Sequence, residues 1–454
     1  MVGVIGMHHS VAQIPYACVM HTPSDHTTLT RPQLKTLTLA SLGGALEFYD
    51  FVVFVFFATT MGALFFPADM PGWLKQVQTF GIFAAGYLAR PLGGIVMAHF
   101  GDLSGRKRMF MLSILLMAIP TLLMGLLPTY AQIGVLAPIL LLLLRILQGA
   151  AIGGEAPGAW VFVSEHVAPG RRNFACGVLS LGLLAGILLG SLVALLVNAN
   201  LDDAHLLAWG WRIPFVLGGV FGLLALYLRR QLHETPVFAQ LQAQKQLAAE
   251  LPLKSVLRDH GTAVIIGMLL TWLLTAAVVV TILMMPTFLQ GMGVSRSDAL
   301  TGNALAVLAA MAANLIAGAL ADRFGAGRVL ALWSVLLGAA FFAFYQSAQA
   351  GEYSHLLYAL AGSAVGLTAM IPAIALGGFP ATVRFSGLSF SYNVAYAIAG
   401  GLTPVLLSLA MKNNPSAPLH YMLAMAALGL VLGVLVQLRQ PHTVTAGAPL
   451  PPAG

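Results

Sequence analysis

Charge is scarce in this sequence. Asp, Glu, Lys and Arg make up 8% of its 454 residues, against 59% hydrophobic residues, whereas an average soluble chain is about 25% charged. So few charges cannot coat a surface that faces water, which excludes a soluble globular enzyme and a disordered chain. Cysteine is nearly absent: Cys18 and Cys176 make no disulfide framework. The formal charge is +7, but the 22 Lys and Arg are dispersed rather than clustered, which excludes a nucleic-acid partner. There is no phosphate-cradling lysine loop, no dinucleotide fingerprint, no Gly-x-Ser-x-Gly elbow and no histidine pair at metal-ligand spacing. No enzyme activity, metal or cofactor is therefore expected.

What the sequence has is length of apolar run. Bilayer hydrocarbon is about 30 Å thick and takes about 20 apolar residues per helix. Twelve such runs stand between charged or Pro/Gly/Asn clusters, at 36–66, 77–100, 109–127, 134–166, 174–197, 212–228, 261–289, 298–321, 329–345, 355–379, 386–410 and 420–438. A membrane barrel would read as alternating segments of about ten residues instead. The expected fold is all-α and integral to the membrane, a monomer with the lipid bilayer as its surroundings. With the N-terminus inside, 16 Lys and Arg fall in cytoplasmic segments and four on the other side, an asymmetry that places both termini in the cytoplasm.

The polar stretch 229–260 divides the chain into halves of six spans. The expected organisation is a cytoplasmic tail 1–33, a bundle 34–228, a linker 229–260, a second bundle 261–438 and a cytoplasmic tail 439–454. A loop motif repeats across the divide. Gly101-Asp102-Leu103-Ser104-Gly105-Arg106-Lys107-Arg108 follows the second span and Asp322-Arg323-Phe324-Gly325-Ala326-Gly327-Arg328 the eighth. The aspartates are 220 residues apart, close to the 225 between the starts of spans one and seven. Paired halves of this kind are a secondary-transporter architecture, with the substrate site between them near the midplane.

These features resemble the major facilitator superfamily: the loop motif, the six-plus-six layout and Arg145-x-x-Gln148-Gly149 in span four. Four further blocks resemble its metabolite:proton symporter family of bacterial organic-acid and osmolyte transporters. They are Leu46-Glu47-Phe48-Tyr49-Asp50-Phe51, Arg90-Pro91-Leu92-Gly93-Gly94, Arg145-Ile146-Leu147-Gln148-Gly149 with Gly153-Gly154-Glu155, and Tyr392-Asn393 with Gly400-Gly401-Leu402-Thr403-Pro404. The loop motif departs from the family pattern at Ala98, Leu103, Ala326 and Gly327. The resemblance implies a multi-pass protein of a bacterial inner membrane, driven by the proton gradient.

Ionisable groups at membrane depth cost at least about 2.5–3.5 kcal/mol on insertion scales and so mark function. Five stand there: Glu47, Asp50, Arg90, Arg145 and Glu155. Glu47 and Asp50, three apart, share a helical face, which is expected to line a cavity. Low dielectric and a neighbouring carboxylate favour a neutral carboxyl group, so Asp50, Glu47 and Glu155 are the candidates for proton coupling. Arg145 and Arg90 offer planar docking for a carboxylate. Glu155 is expected to pair with one of them. Tyr49, Asn393 and Tyr396 complete the candidate substrate contacts, because the second half holds only neutral polar groups at depth.

The loop motif is expected to act as a conformational latch built from Asp102, Gly105, Arg106, Glu165, Glu234, Asp322 and Arg323. Asp102 would accept from a neighbouring helix N-terminus, and Arg106 would reach Glu165 or Glu234. Gly182, Gly186 and Gly190 form a small-residue stripe suited to close helix approach. The leading expectation is proton-coupled symport of a small mono-, di- or tricarboxylate by alternating access. The alternatives are proton-coupled uptake of a zwitterion or osmolyte, and a proton-driven exporter.

Overall fold

The computed structural model describes residues 29–230, 234–243, 252–411 and 413–439. Most of the two tails lies outside these ranges, as do the centre of the linker and the side chains of Glu47 and Arg106.

Among the described residues twelve principal helices follow one another, consistent with twelve spans. They are α1 (Arg31–Phe56), α2 (Gly72–Ser104), α3 (Arg106–Leu126), α4 (Leu136–Glu165), α5 (Arg172–Asn200) and α6 (Arg212–Arg230). The second half has α7 (Gly261–Val278), α8 (Arg296–Phe324), α9 (Ala326–Gln349), α10 (His355–Ser363), α11 (Arg384–Ala410) and α12 (Ala417–Arg439). Among the described residues, ten helical segments are long and apolar enough to span a bilayer, or eleven with the bent pair that ends in α6. Helix α11, 27 residues long, completes the twelve, and its Ser386, Ser389, Ser391 and Asn393 are buried. Short helices Pro236–Ala243 and Pro252–Asp259 stand in the linker.

Three spans are interrupted where the sequence suggests a single run. The first breaks at Phe57 (φ −105°, ψ 12°) before a short helix Ala58–Phe65. The residues leading to the break, Val52 to Phe57, are all β-branched or aromatic, the types that lose χ1 freedom in a helix. After α7 the helix widens over Val279–Met284 and resumes as Met285–Gly291 around Pro286; proline removes a backbone donor and drives such rearrangement. Likewise α10 tightens over Ala364–Ala369 and resumes as Ile371–Gly377, with Pro372 in its first turn.

Glycine sets the spacing within the first half. A Cβ on Gly93 would collide with the Ala150 carbonyl, one on Gly149 with the Gly86 carbonyl, and one on Gly153 with the Arg90 carbonyl. Helices α2 and α4 therefore touch backbone to backbone. The stripe on α5 does the same against α1: Gly182 lies on the Ser41 carbonyl and Gly186 on the Ala45 carbonyl. In membranes such seams supply dispersion where hydrophobic driving force is lacking.

The repeat in the sequence is a repeat in the backbone. Gly105 (φ 108°, ψ 139°) joins α2 to α3, and Gly325 (φ 96°, ψ 133°) joins α8 to α9. Both turns use the positive-φ region, which only glycine enters without strain.

Candidate functional site

Two buried arginines organise the centre, and they share one aromatic system. Arg90, three residues after Tyr87 on the same face of α2, is 1% exposed. Its guanidinium carbon lies 4.2 Å from the Tyr396 ring centre, 5.5 Å from Tyr392 and 5.6 Å from Tyr87. None of its nitrogens has a hydrogen-bond partner. Arg145 on α4, fully buried, lies 4.5 Å from Phe54, 5.0 Å from Phe51 and 5.3 Å from Phe83. Its Nη1 donates to Gln148 Oε1, while Nε and Nη2 are unpartnered. The rings connect the two cations. Phe83 and Phe51 meet Tyr87 edge-on at 4.9 and 5.1 Å, Tyr87 stacks on Tyr396 at 5.7 Å, and Trp160 meets Tyr392 at 5.1 Å.

The Tyr87–Tyr396 stack and the Trp160–Tyr392 contact both cross from one half to the other. Beside them is a small cavity of ≈ 30 Å³, lined by Phe48, Trp160, Leu184, Leu274, Tyr392 and Tyr396 among others. Trp160 Nε1 is buried without a partner nearby. Arginine on aromatic faces is a cation–π arrangement, and the same rings suit a quaternary ammonium ligand.

Asp50 is not on the wall of this cavity. Its carboxyl group is fully buried between α1, α3 and α6, where a Cβ on Gly222 would stand 3.6 Å from Oδ2. Both oxygens lack a hydrogen-bond partner. One relay leads from this pocket to the centre: Gln148 Nε2 donates to Thr121 Oγ1 at 2.8 Å and to the Asp50 carbonyl at 3.2 Å, and its Oε1 holds Arg145. The shared, cavity-lining face expected for Glu47 and Asp50 is thus not formed on the Asp50 side. Gly218 and Gly222 on α6, which carry no side chain, leave the carboxyl its place inside the bundle.

Three other expectations need correction. Glu155 does not pair with Arg90 or Arg145, both of which lie on rings; it accepts a hydrogen bond from Ser113 Oγ at 2.5 Å. Tyr49 faces α6, where its hydroxyl donates to the Pro214 carbonyl at 2.9 Å and its ring meets Phe221. Asn393 ties α11 to α4, its Nδ2 donating to the Gly153 carbonyl at 2.6 Å and to the Ser389 carbonyl at 2.8 Å. Tyr396 alone of the neutral candidates faces the centre.

The loop residues hold the two halves together at the face rich in Lys and Arg. Asp102 accepts from the Ser386 amide (3.0 Å) and hydroxyl (2.8 Å) at the start of α11. Asp322 accepts from the Asn173 and Phe174 amides at 3.0 and 2.9 Å, at the start of α5. Each carboxylate thus occupies a helix N-terminus of the opposite half, where the dipole favours it. Glu165 pairs with Arg384 at 3.0 Å, with side chains 0% and 15% exposed; the side chain of Arg106, its expected partner, lies outside the described residues. Glu234 accepts from the Lys107 amide at 3.2 Å beside Gly105. Arg323 is exposed and lies over Phe324 at 5.2 Å, taking no part in the latch.

Phe385, between these two contacts, presses its ring against Gly101 and Gly158. Three consecutive residues at the start of α11 therefore make an ion pair, an apolar plug and a helix cap across the junction. Among the described residues, the polar bonds joining the halves all lie on the basic side of the Tyr87–Tyr396 stack. The sequence reading passed over Tyr87, Trp160 and Phe385 and gave Gln148 no role beyond the family motif; Tyr87 and Gln148 carried a signal, each standing three residues from a buried arginine.

A profile of the Major Facilitator Superfamily matches residues 40–404. The glycine betaine/proline/ectoine/pipecolic acid transporter OusA of Dickeya dadantii is 33% identical over 418 residues, covering 89% of this chain and 83% of the relative. The proline/betaine transporter of Escherichia coli K12 is 33% identical over 422 residues, with the same coverage of 89% and 83%. Among solved structures, the proton:xylose symporter XylE bound to 6-bromo-6-deoxy-D-glucose superimposes with a TM-score of 0.73 at 16% identity, over 90% of this chain and 96% of that one.

Proposed function

The chain belongs to the major facilitator superfamily of membrane transporters, and from that premise we propose that it carries a zwitterionic compatible solute, a carboxylate with a methylated or cyclic ammonium, into the cell together with a proton. One observation carries the reading: the Arg90 guanidinium, without an acidic partner, enclosed by Tyr87, Tyr392 and Tyr396 where the halves meet. The solute's carboxylate would draw Arg90 off the rings into a bidentate pair. The rings so uncovered, with Trp160 behind them, would take its ammonium by cation–π attraction. An anion alone would use the arginine and leave the aromatic faces without purpose. For this reason the zwitterion takes precedence over the mono-, di- or tricarboxylate expected from charge alone, and the names of the relatives agree with it.

The proton would reside on Asp50. A carboxylate without donors in a dry bundle is expensive, and the Thr121–Gln148–Arg145 relay gives the occupied centre a path to that pocket. Glu47 and Glu155 are further proton-coupling candidates. The basic face would be the cytoplasmic one, by the excess of Lys and Arg there. The helix caps of Asp102 and Asp322 and the Glu165–Arg384 pair would then hold the cytoplasmic entrance shut while the substrate site opens outward.

The test is uptake into proteoliposomes under an acid-outside gradient with labelled glycine betaine or proline. Accumulation competed by betaine and not by succinate or citrate is the expected result. Competition by the di- or tricarboxylate alone would return the organic-anion reading, and export under the same gradient would reverse the direction of coupling.

A further inference from the structure

We propose that the outer wall of the first bundle holds a site for one anionic phospholipid of the leaflet that the basic face contacts. The site is a groove of ≈ 570 Å³ between α3 and α6, closed at one edge by Phe100 of α2, and of the size that encloses a small organic ligand. Its walls are Leu112, Leu115 and Leu226, and Phe100, Leu112 and Leu115 are 48%, 39% and 36% exposed. At its mouth stand Arg108, two residues into α3, and Arg230, the last residue of α6. Both are exposed, and neither makes an ion pair among the described residues.

The depth profile of this groove is that of a lipid. The helix ends place the two guanidiniums where headgroups lie, and the apolar walls run from there into hydrocarbon. An inner-leaflet phosphate brings a negative charge to two cations that have no ion-pair partner among the described residues, while its acyl chain covers the exposed parts of the groove's leucines. Basic pockets between membrane helices recognise anionic headgroups in this way. A zwitterionic lipid offers the same chain without net charge, and a free phosphate ester the same charge without the chain; only the anionic lipid satisfies both parts.

Native mass spectrometry of the detergent-released full chain reads the site directly. The purified protein is offered phosphatidylglycerol and phosphatidylcholine in equal amount, with glycerol phosphate as the tail-free competitor. Phosphatidylglycerol should be retained preferentially. Arg108→Gln with Arg230→Gln should lower its binding by on the order of fivefold per arginine, and Arg108→Lys with Arg230→Lys should largely restore it. Leu115→Trp, which leaves the charge and fills the groove, should weaken the lipid as well. Equal retention of the two lipids, an unchanged glutamine double variant, competition by glycerol phosphate as strong as by the lipid, or indifference to the tryptophan would each overturn the proposal.

Discussion

At the scale of single residues, the centre is built from charges that the sequence shows and rings that it hides. Arg90 and Arg145 are legible because a cation in an apolar run needs a reason. Their surroundings are not, because Phe and Tyr in a membrane span look the same whether they face lipid, a neighbour or a guanidinium. Asp50 illustrates the limit. Its depth is readable from the run around it, but its direction depends on Gly218 and Gly222 of a helix some 170 residues away. Asp50→Asn replaces a carboxyl by its isostere. It should abolish gradient-driven accumulation while leaving solute counterflow within about twofold of the parent; accumulation preserved in vesicles would remove Asp50 from the coupling step. Asn393→Ala should act differently. It deletes hydrogen bonds to Gly153 and Ser389, and interhelical bonds in membranes are worth about 0.6–2 kcal/mol. The expected outcome is a lower unfolding temperature in detergent with coupling ratio unchanged.

At the scale of elements, existence and order of the spans could be read from apolar length alone. The interruptions could not, except where Pro286 and Pro372 announce them. The start of α11 is the element whose role was most concealed: Arg384 reads as a charge that fixes topology, and Phe385 and Ser386 as ordinary members of a span. Together they fasten the basic side. Breaking one partner of a buried ion pair leaves the other charge uncompensated, at a cost of about 3–5 kcal/mol when burial is complete. Glu165→Gln should therefore favour opening at that face. A cysteine placed at Ser180, in a background with Cys18 and Cys176 replaced, should react severalfold faster with an impermeant maleimide applied to the basic side. Phe385→Ala should do the same by withdrawing the ring from Gly101 and Gly158. Labelling no faster than the parent in both variants would remove this turn from the gate.

At the scale of the whole molecule, the repeat of Asp102 and Asp322 at a spacing of 220 residues states the twofold design in the sequence itself. Which helix N-terminus each aspartate would reach lay beyond the sequence, since Ser386 and Phe174 carry no mark of their own. Symmetry makes a prediction here: Asp102→Asn and Asp322→Asn should each shift the balance of facing states in the same direction, and the double variant further, as read by the same maleimide reaction at the basic side. The seam between α2 and α4 has a wider consequence. With carbonyls seated directly on Cα positions, those two rods have no slack in which to slide, so the first bundle must travel as one body. Spin labels at Leu88 and Leu147 would then report a single separation throughout turnover, while a pair spanning the bundles, at Leu88 and Ile398, would alternate between two.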